Sequence, residues 1–234
     1  SVVSLGGSIF SDCINLSNVT LGCGIKEISS SMFHNTDLRK VTIPEGVTSI
    51  GSSAFSKCTY LSEITIPNNV TSMGVNVFAG CTSLYKLTIP FLGAEAGKQP
   101  GDKYLYPIGY LFGEGNYYSD TTATQQYYYG TFVTSLTNTT YYIPNSLDEV
   151  TVTGGYIPYG AFYNCKEIST IILGEGITAI GEEAFYNCTD MRTIKIPSTL
   201  TSIGENAFSY CKNLSGVQVA DIATWCNITF GNTA

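Results

Sequence analysis

A motif of 23 residues is repeated along this chain, and this period constrains the fold more than any other feature. One copy starts at Leu38, and the next starts at Leu61 with the same apolar, proline, glycine and cysteine positions. After an interruption the motif returns at Ile168 and at Met191. A fixed period between about 20 and 29 residues is typical of a solenoid, in which each copy of the motif forms one coil.

Each copy contains the residues that one coil needs. In Leu-x-x-Ile-x-Ile, the two isoleucines point to one face of a short strand. Prolines such as Pro44 end that strand, because proline cannot donate a hydrogen bond to the ladder. Gly51 suits a tight turn, and the Ala-Phe-x-x-Cys sequence that follows has the spacing of one short helical turn.

The interior of a single coil is too thin to be stable alone. We therefore expect coils that stack about 4.8 Å apart and join their interiors into one core. The predicted fold class is α/β: a strand-rich solenoid with a parallel sheet of short strands and with short helical turns.

Together these positions read Leu-x-x-Ile-x-Ile-Pro-x-x-Val-x-x-Ile-Gly-x-x-Ala-Phe-x-x-Cys, which resembles the BspA-type leucine-rich repeat. The resemblance covers nearly all of the chain outside residues 91–146. That family occurs largely in surface proteins of gut and oral bacteria, and its members are thought to bind host proteins or other cells. The resemblance therefore implies a right-handed leucine-rich-repeat solenoid, an extracellular or cell-surface location and no catalytic residues in the repeat itself.

Charge and hydropathy narrow the class of partner. The chain has 11 basic and 18 acidic residues and a net charge of -7, which disfavours binding to nucleic acid or to an anionic membrane. No apolar run reaches the roughly 18 residues of a membrane span, so no membrane insertion is expected. The expected partner is a protein or a glycan, and the sequence does not determine the oligomeric state.

No catalytic or metal-binding pattern is recognisable in the sequence. It contains no phosphate-binding glycine loop and no nucleophile elbow. The single histidine, His34, is predicted to be a solvated turn residue. Adjacent carboxylates such as Glu182 and Glu183 diverge on a repeat surface, unlike the facing carboxylates of a glycosidase. We therefore expect no enzyme activity, no metal and no cofactor.

Five cysteines share one position of the motif: Cys58, Cys81, Cys165, Cys188 and Cys211. We predict that they are buried free thiols, which behave as small hydrophobic side chains. Disulfides between neighbouring coils remain an alternative, because stacked Cα atoms about 5 Å apart lie within disulfide range. Zinc is less favoured, because the sequence has no Cys-x-x-Cys pair.

The chain is predicted to be one solenoid over residues 1–234, interrupted by a tyrosine-rich insert at about 91–146. An insert of this length should have structure of its own. Within it, Tyr110, Leu111 and Phe112 are predicted to pack against the coils. Tyrosine is favoured in binding interfaces because it offers a large ring with a polar tip. The tyrosines that lie among polar residues are predicted to be exposed binding candidates: Tyr117, Tyr118, Tyr127, Tyr128 and Tyr129.

The last residues depart from the motif and indicate a different ending. Residues 220–234 are predicted to begin a C-terminal cap with a short helix. Asp221 suits the N-cap of that helix. Ile222, Trp225 and Cys226 would share one helical face, with Trp225 in the core rather than at a binding site.

The outward face of the predicted sheet provides the second set of binding candidates. Lysine and glutamate alternate between neighbouring strands and threonine recurs beside them, and both patterns stabilise a sheet without any partner. Solenoids also use such a face as an extended binding surface. The candidate residues on this face are Lys40, Thr42, Glu63, Thr65, Lys86 and Thr88.

The sequence therefore favours a secreted or cell-surface module that binds a protein or a glycan. The strand face, the tyrosine-rich insert or both would make the contact. The alternative is a structural spacer that presents another domain at the cell surface.

Overall fold

The repeat motif forms stacked coils whose strands pair from one coil to the next. The computed structural model describes residues 5–115, 119–130 and 135–231. Within them the strands, in chain order, are β1 (Glu27–Ile28), β2 (Ser49–Ile50), β3 (Glu63–Thr65), β4 (Ser72–Met73), β5 (Lys86–Ile89), β6 (Thr121–Tyr129), β7 (Leu136–Pro144), β8 (Glu149–Ile157), β9 (Thr170–Ile180), β10 (Thr193–Ile196), β11 (Ser202–Ile203), β12 (Gly216–Val219) and β13 (Thr229–Phe230). The helices of the described residues are a 3-10 helix, Ile108–Leu111, and α1, Ile222–Cys226.

Six of the strands form the main parallel sheet, in the order β12-β10-β9-β8-β5-β3. Their register aligns one apolar residue from each strand in a single column: Ile64, Leu87, Val150, Ile171, Ile194 and Val217. All but the last are buried. The column passes directly from Leu87 to Val150, so the sheet continues across the insert. The predicted parallel sheet is confirmed.

A second ladder runs along the side of the solenoid. β1, β2 and β4 pair in parallel in that order. β8 and β9 are long enough to belong to both ladders, because their pairing extends from Glu149–Thr170 to Ile157–Ile180. β9 then pairs with β11, and β11 with β13. From β3 onwards the main sheet joins each coil to the next, and the side ladder adds a second set of pairings, which produces a strand-rich parallel solenoid.

The core contains columns of phenylalanine rings. Phe33, Phe55 and Phe78 stack with centroid separations of 5.5 and 6.0 Å. In the later coils Phe185 stacks on Phe162 at 5.3 Å and on Phe208 at 5.2 Å. These separations are close to the spacing of the coils, so each ring fills the space between the rings above and below it.

The Ala-Phe-x-x-Cys segment is not the helical turn that its spacing predicts. The amides of Ser53, Phe55 and Lys57 donate to carbonyls of the next coil, while the alternate amides of Ser56 and Cys58 close tight turns within their own coil. Ser53 and Lys57 have positive φ angles of 57° and 59°, which an α-helix excludes. The segment bonds to neighbouring coils instead of to itself, so the predicted α/β class is not confirmed. The handedness of the coils stays a prediction.

The cap helix begins as predicted but buries little of its predicted apolar face. The Asp221 carboxylate accepts a hydrogen bond from the Thr224 amide at 2.7 Å, as an N-cap does. Trp225 packs against the core at partial burial. Ile222, however, is 77% exposed and Cys226 is also exposed, so Trp225 is the one residue of the predicted face that packs against the core. A helix of five residues has little more than one turn, so it can place only one large side chain, that of Trp225, against the core.

The glycine that ends each side strand permits close approach of the coils. Gly51, Gly74, Gly181 and Gly204 have no positive φ, so the tight turn predicted for them is not the reason for glycine. At each of them an added Cβ would lie within 3.0 Å of the backbone of the preceding coil. Only a residue without a side chain fits where two backbones meet in this way.

The cysteine position of the motif is occupied by buried thiols. Cys58, Cys81, Cys165 and Cys188 are buried, as predicted, and Cys211 is partly buried. Cys58 Sγ donates to the Phe33 carbonyl of the preceding coil at 3.1 Å, and Cys81, Cys188 and Cys211 repeat this contact. Cysteine therefore supplies a small apolar group and a weak donor at one position. Burial raises the pKa of each of these thiols.

Alkylation should distinguish the buried from the exposed thiols. At pH 8, iodoacetamide is expected to modify the exposed Cys13, Cys23 and Cys226 of the native protein rapidly. The four buried thiols are expected to react only after denaturation, because a raised pKa leaves little thiolate and burial blocks access. Peptide mass spectrometry measures both sets. Rapid native labelling of Cys81 would contradict the burial.

Candidate functional site

The six candidates on the strand face lie on the solvent side of the main sheet or of the segment before it. Lys40 Nζ lies 2.7 Å from Glu63 Oε1, and Lys86 Nζ lies 2.7 Å from Glu149 Oε1. Glu63 therefore pairs with one lysine, and Lys86 pairs with the strand that follows the insert. The hydrogen bond from Lys40 lowers the pKa of Glu63 and raises that of Lys40.

A groove opens on this face where the main sheet stops. β3 pairs with β5 along one edge, while residues 40–43 of the preceding coil form no ladder with its other edge. The Ser62 amide makes one long contact, 3.4 Å, to the Arg39 carbonyl at the start of this gap. The groove has a volume of about 400 Å³. Four of the six strand-face candidates line it: Lys40, Thr42, Glu63 and Thr65.

The edge of β3 that faces this groove carries backbone hydrogen-bonding groups. The Ile66 amide donates to Thr88 and the Ser62 carbonyl accepts from Lys86, so the even-numbered residues of this stretch face β5. The backbone groups of Glu63 and Thr65 alternate with them and face the groove. An unpaired strand edge is a ready hydrogen-bonding surface. The groove thus combines backbone groups, threonine hydroxyls and one ion pair.

Lys86 and Thr88 lie outside the groove, further along the same face. Thr88 pairs with Thr65 on one side and with Thr151 on the other, so the predicted row of threonines is present. Both Lys86 and Thr88 are half-buried. Their cross-strand contacts stabilise the sheet, and this role explains lysine and threonine at these positions without any ligand.

The insert completes a coil and adds a hairpin to it. The Ala94 carbonyl accepts a hydrogen bond from the Met73 amide of β4, and the Ala96 amide donates to the Thr71 carbonyl just before that strand. The 3-10 helix then takes the place of the turn segment, and Phe112 adds a ring to the phenylalanine column at 6.3 Å from Phe78. β6 and β7 follow as an antiparallel pair. Leu111 and Phe112 are buried and Tyr110 packs against the core, so their predicted packing is confirmed.

Buried polar contacts fix the hairpin against the coils. The Gln126 side chain is fully buried, accepts a hydrogen bond from the Gly109 amide at 2.9 Å and donates to the Tyr163 carbonyl at 3.1 Å. Tyr141 is buried beside Gly109, and burial raises its pKa. The hairpin is therefore joined both to the 3-10 helix and to the coil that follows.

The tyrosines of β6 are less exposed than the sequence predicts. Tyr128 is only 9% exposed, because alternation along the strand turns it inward, where it contacts Tyr106. Tyr127 and Tyr129 are half-buried. Their rings lie 5.1 Å from Tyr163 and 5.0 Å from Tyr159, respectively. Tyr127 and Tyr129 therefore pack the hairpin onto the next coil, while Tyr128 packs within the insert. Two further candidates, Tyr117 and Tyr118, lie outside the described residues.

A small cleft in the insert was not singled out by sequence reasoning. It has a volume of about 180 Å³. Its lining consists of Ala94, Glu95, Lys98, Tyr104, Tyr106 and Tyr110. Nothing in the sequence separates these tyrosines from the others of the insert, because their grouping depends on how the chain returns to β4.

The single histidine lies in a turn, as predicted, but is only partly solvated. His34 is half-buried, and its Nδ1 lies 2.6 Å from Ser56 Oγ. The Ser56 hydroxyl donates to the Ser53 carbonyl at 3.0 Å, so the ring N–H is the donor to Ser56. Ser56 is itself buried. This contact connects two neighbouring coils. Because Nδ1 of His34 carries the proton, it cannot accept the proton of the Ser56 hydroxyl.

The repeat is also recognised by comparison with known proteins. The profile described as "BspA type Leucine rich repeat region" matches residues 1–98 and 130–233, in six copies. This chain belongs to the BspA-type leucine-rich repeat family. No curated protein matches the chain. No helix of the described residues of this family member is long and apolar enough to cross a membrane.

Several solved leucine-rich repeat structures resemble this BspA-type chain. A leucine-rich repeat protein of T. pallidum is 17% identical, with a TM-score of 0.39 and coverage of 88% of this chain and 67% of the other. A leucine-rich cell surface protein of Faecalibacterium prausnitzii is 22% identical, with a TM-score of 0.35 and coverage of 95% and 65%. One from Bacteroides ovatus is 19% identical, with a TM-score of 0.32 and coverage of 97% and 71%. The chain spans about two thirds of their length.

Proposed function

We propose that this chain is a secreted or cell-surface binding module that recognises a protein or a glycan without catalysis. The groove beside β3 carries the proposal, because four of the residues selected from the sequence converge there. The family assignment supports a binding scaffold. The extracellular location is part of the proposal.

The chemistry of the groove favours recognition by hydrogen bonds. Thr42 and Thr65 are exposed and present hydroxyl groups on either side of the gap. The backbone groups of Glu63 and Thr65 add donors and acceptors at fixed spacing. The ion pair of Lys40 and Glu63 is largely solvated, so a partner can compete for either charge at little cost. An extended peptide or a glycan chain could lie along such a groove.

The alternative, a structural spacer, is favoured by a different observation. The lysines and glutamates of the strand face already pair with each other across the strands. Such pairs favour the sheet without any ligand. Under this alternative, substitutions in the groove leave adhesion of the full-length protein unchanged.

Thr65→Arg is expected to weaken binding to a partner at least about tenfold, which corresponds to about 1.4 kcal/mol. The long side chain would fill the groove and place a new cation beside Lys40. Partners are first identified with panels of purified extracellular-matrix proteins and of immobilised glycans. Affinity is then measured by biolayer interferometry for the wild type and the variant.

Gln218→Arg is the matched control for this experiment. Gln218 is exposed and occupies the same column as Thr65 at the far end of the main sheet. The substitution adds the same charge to the same face, five strands away. Equal loss of binding in both variants would show a nonspecific effect of charge, and no loss in either would refute the groove as the binding site.

A further inference from the structure

The cleft of the insert contains a row of tyrosine rings that ends in solvent. Tyr106 stacks on Tyr110 with centroids 4.5 Å apart, and Tyr104 stacks on Tyr106 at 6.0 Å. Tyr110 is anchored at the inner end, where its hydroxyl donates to the Met73 carbonyl at 3.4 Å. Tyr104 is at the outer end and is 44% exposed. One face of an aromatic platform is therefore available to a ligand.

The backbone of Tyr104 adopts a conformation that is unfavourable for an aromatic residue. Its φ angle is 58°, in the left-handed region that aromatic residues rarely adopt. Its amide donates to the Gly130 carbonyl at 3.1 Å, and the next residue, Leu105, is buried and bonds to Tyr129. The left-handed residues of the coils recur at fixed motif positions, whereas Tyr104 belongs to no repeated position. Strained backbone conformations cluster at functional sites, and the stacking of the coils does not require this one.

The charges beside the row cancel. Lys98 Nζ lies 3.1 Å from Glu95 Oε2, and both residues line the cleft. A ligand that carries a net charge of either sign would have to displace one partner of this pair. A neutral ligand rich in hydroxyl groups can instead donate to the carboxylate and accept from the ammonium group. The ring of Tyr104 beside them offers a flat apolar surface.

From this geometry we infer that the cleft binds one neutral sugar residue, stacked on Tyr104 and hydrogen-bonded to Glu95 and Lys98. A pyranose has an apolar C–H face and a rim of hydroxyl groups, which match the platform and the ion pair. A cleft of about 180 Å³ holds a single ring rather than a chain. The inference goes beyond the proposed function, because it places a second ligand, a neutral glycan, in the cleft of the insert and not in the groove beside β3.

The experiment measures binding of the full chain to an array of neutral oligosaccharides that end in glucose, galactose, mannose, N-acetylglucosamine or N-acetylgalactosamine. Tyr104→Asn is expected to lower the affinity for the bound glycan at least about tenfold. Asparagine tolerates the left-handed backbone, so this variant removes the ring without new strain. Glu95→Gln is expected to lower the affinity in the same direction, since Glu95 is exposed and its replacement leaves Lys98 without its partner.

Tyr210→Asn is the matched control. Tyr210 is also a tyrosine with a positive φ angle, 64°, and is 61% exposed, but it lies far from the cleft in sequence and does not line it. Its substitution is expected to leave glycan affinity unchanged. Thermal unfolding monitored by circular dichroism checks that both variants are folded.

Three results would overturn the inference. They are binding of no neutral glycan, equal affinities of the Tyr104 and Tyr210 variants, and stronger binding of sialic or glucuronic acid than of neutral sugars. A neutral glycan whose binding is lost with Thr65→Arg and retained with Tyr104→Asn would refute the sugar site while leaving the proposed function intact.

Discussion

Phe55→Ala is expected to lower the free energy of unfolding by about 3 to 5 kcal/mol, the largest effect of any substitution considered for this chain. Phe55 is fully buried, and its ring contacts those of Phe33 and Phe78. Removal of the ring leaves a cavity between two coils. That cavity cannot close easily, because hydrogen bonds on both sides hold the coils at a fixed spacing. The loss therefore includes the cavity as well as the transfer of the ring.

Urea denaturation followed by circular dichroism measures this effect. Tyr85→Ala is the control, because Tyr85 is a ring of similar size that is 47% exposed. Its replacement is expected to change the free energy of unfolding by no more than about 0.5 kcal/mol. In a solenoid each coil is stabilised by its nearest neighbours, so the loss at Phe55 should affect two interfaces at once. Equal effects of the two substitutions would show that the ring column contributes nothing special to stability.

The main sheet could be predicted from the sequence because its signal repeats. In the regular coils an apolar residue recurs every 23 positions, as from Ile171 to Ile194, and stacking converts that period directly into the column that contains Ile64 and Ile194. The candidates Lys40, Thr42, Glu63 and Thr65 follow from the same register. Their convergence on one groove could not be predicted, since it depends on the loss of the ladder between β3 and the preceding coil.

The turn segment was predicted wrongly for a physical reason. Phe55 and Cys58 are three residues apart, and this spacing is shared by a helix and by successive tight turns. The two structures differ in where the amides of Ser53, Phe55 and Lys57 donate. Those bonds cross to another coil, so the local sequence contains no sign of them.

The insert lacks any repeat that could fix the positions of its side chains. Polar neighbours made Tyr128 look exposed in the sequence, but strand alternation and the contact of the hairpin with the coils bury it. Tyr104, by contrast, is exposed through its left-handed backbone, which composition does not reveal. Where stacking dictates the structure, the sequence is informative; where the chain leaves the stack, only tertiary contacts decide.

Gly74→Ala should have the next largest effect, a loss of about 3 kcal/mol or more in the free energy of unfolding. The new Cβ would lie 2.5 Å from the Ser52 Cα and closer still to the Ser52 nitrogen. Both atoms are backbone, so no side-chain rotation can relieve the clash. The coils would have to separate, which would also stretch the hydrogen bond from the Gly74 amide to the Ile50 carbonyl.

Substitutions of two other glycines are controls that distinguish the effect of this clash from the effect of backbone conformation. Gly22 has open space around it and no positive φ, so Gly22→Ala is expected to be neutral or slightly stabilising. Gly97 has open space but a φ angle of 77°, so Gly97→Ala should cost about 1 to 2 kcal/mol through strain alone. If Gly74→Ala costs no more than Gly97→Ala in the same urea titrations, the coils can yield at this contact. A larger cost would establish that this glycine sets the distance between coils, because its own φ requires no glycine.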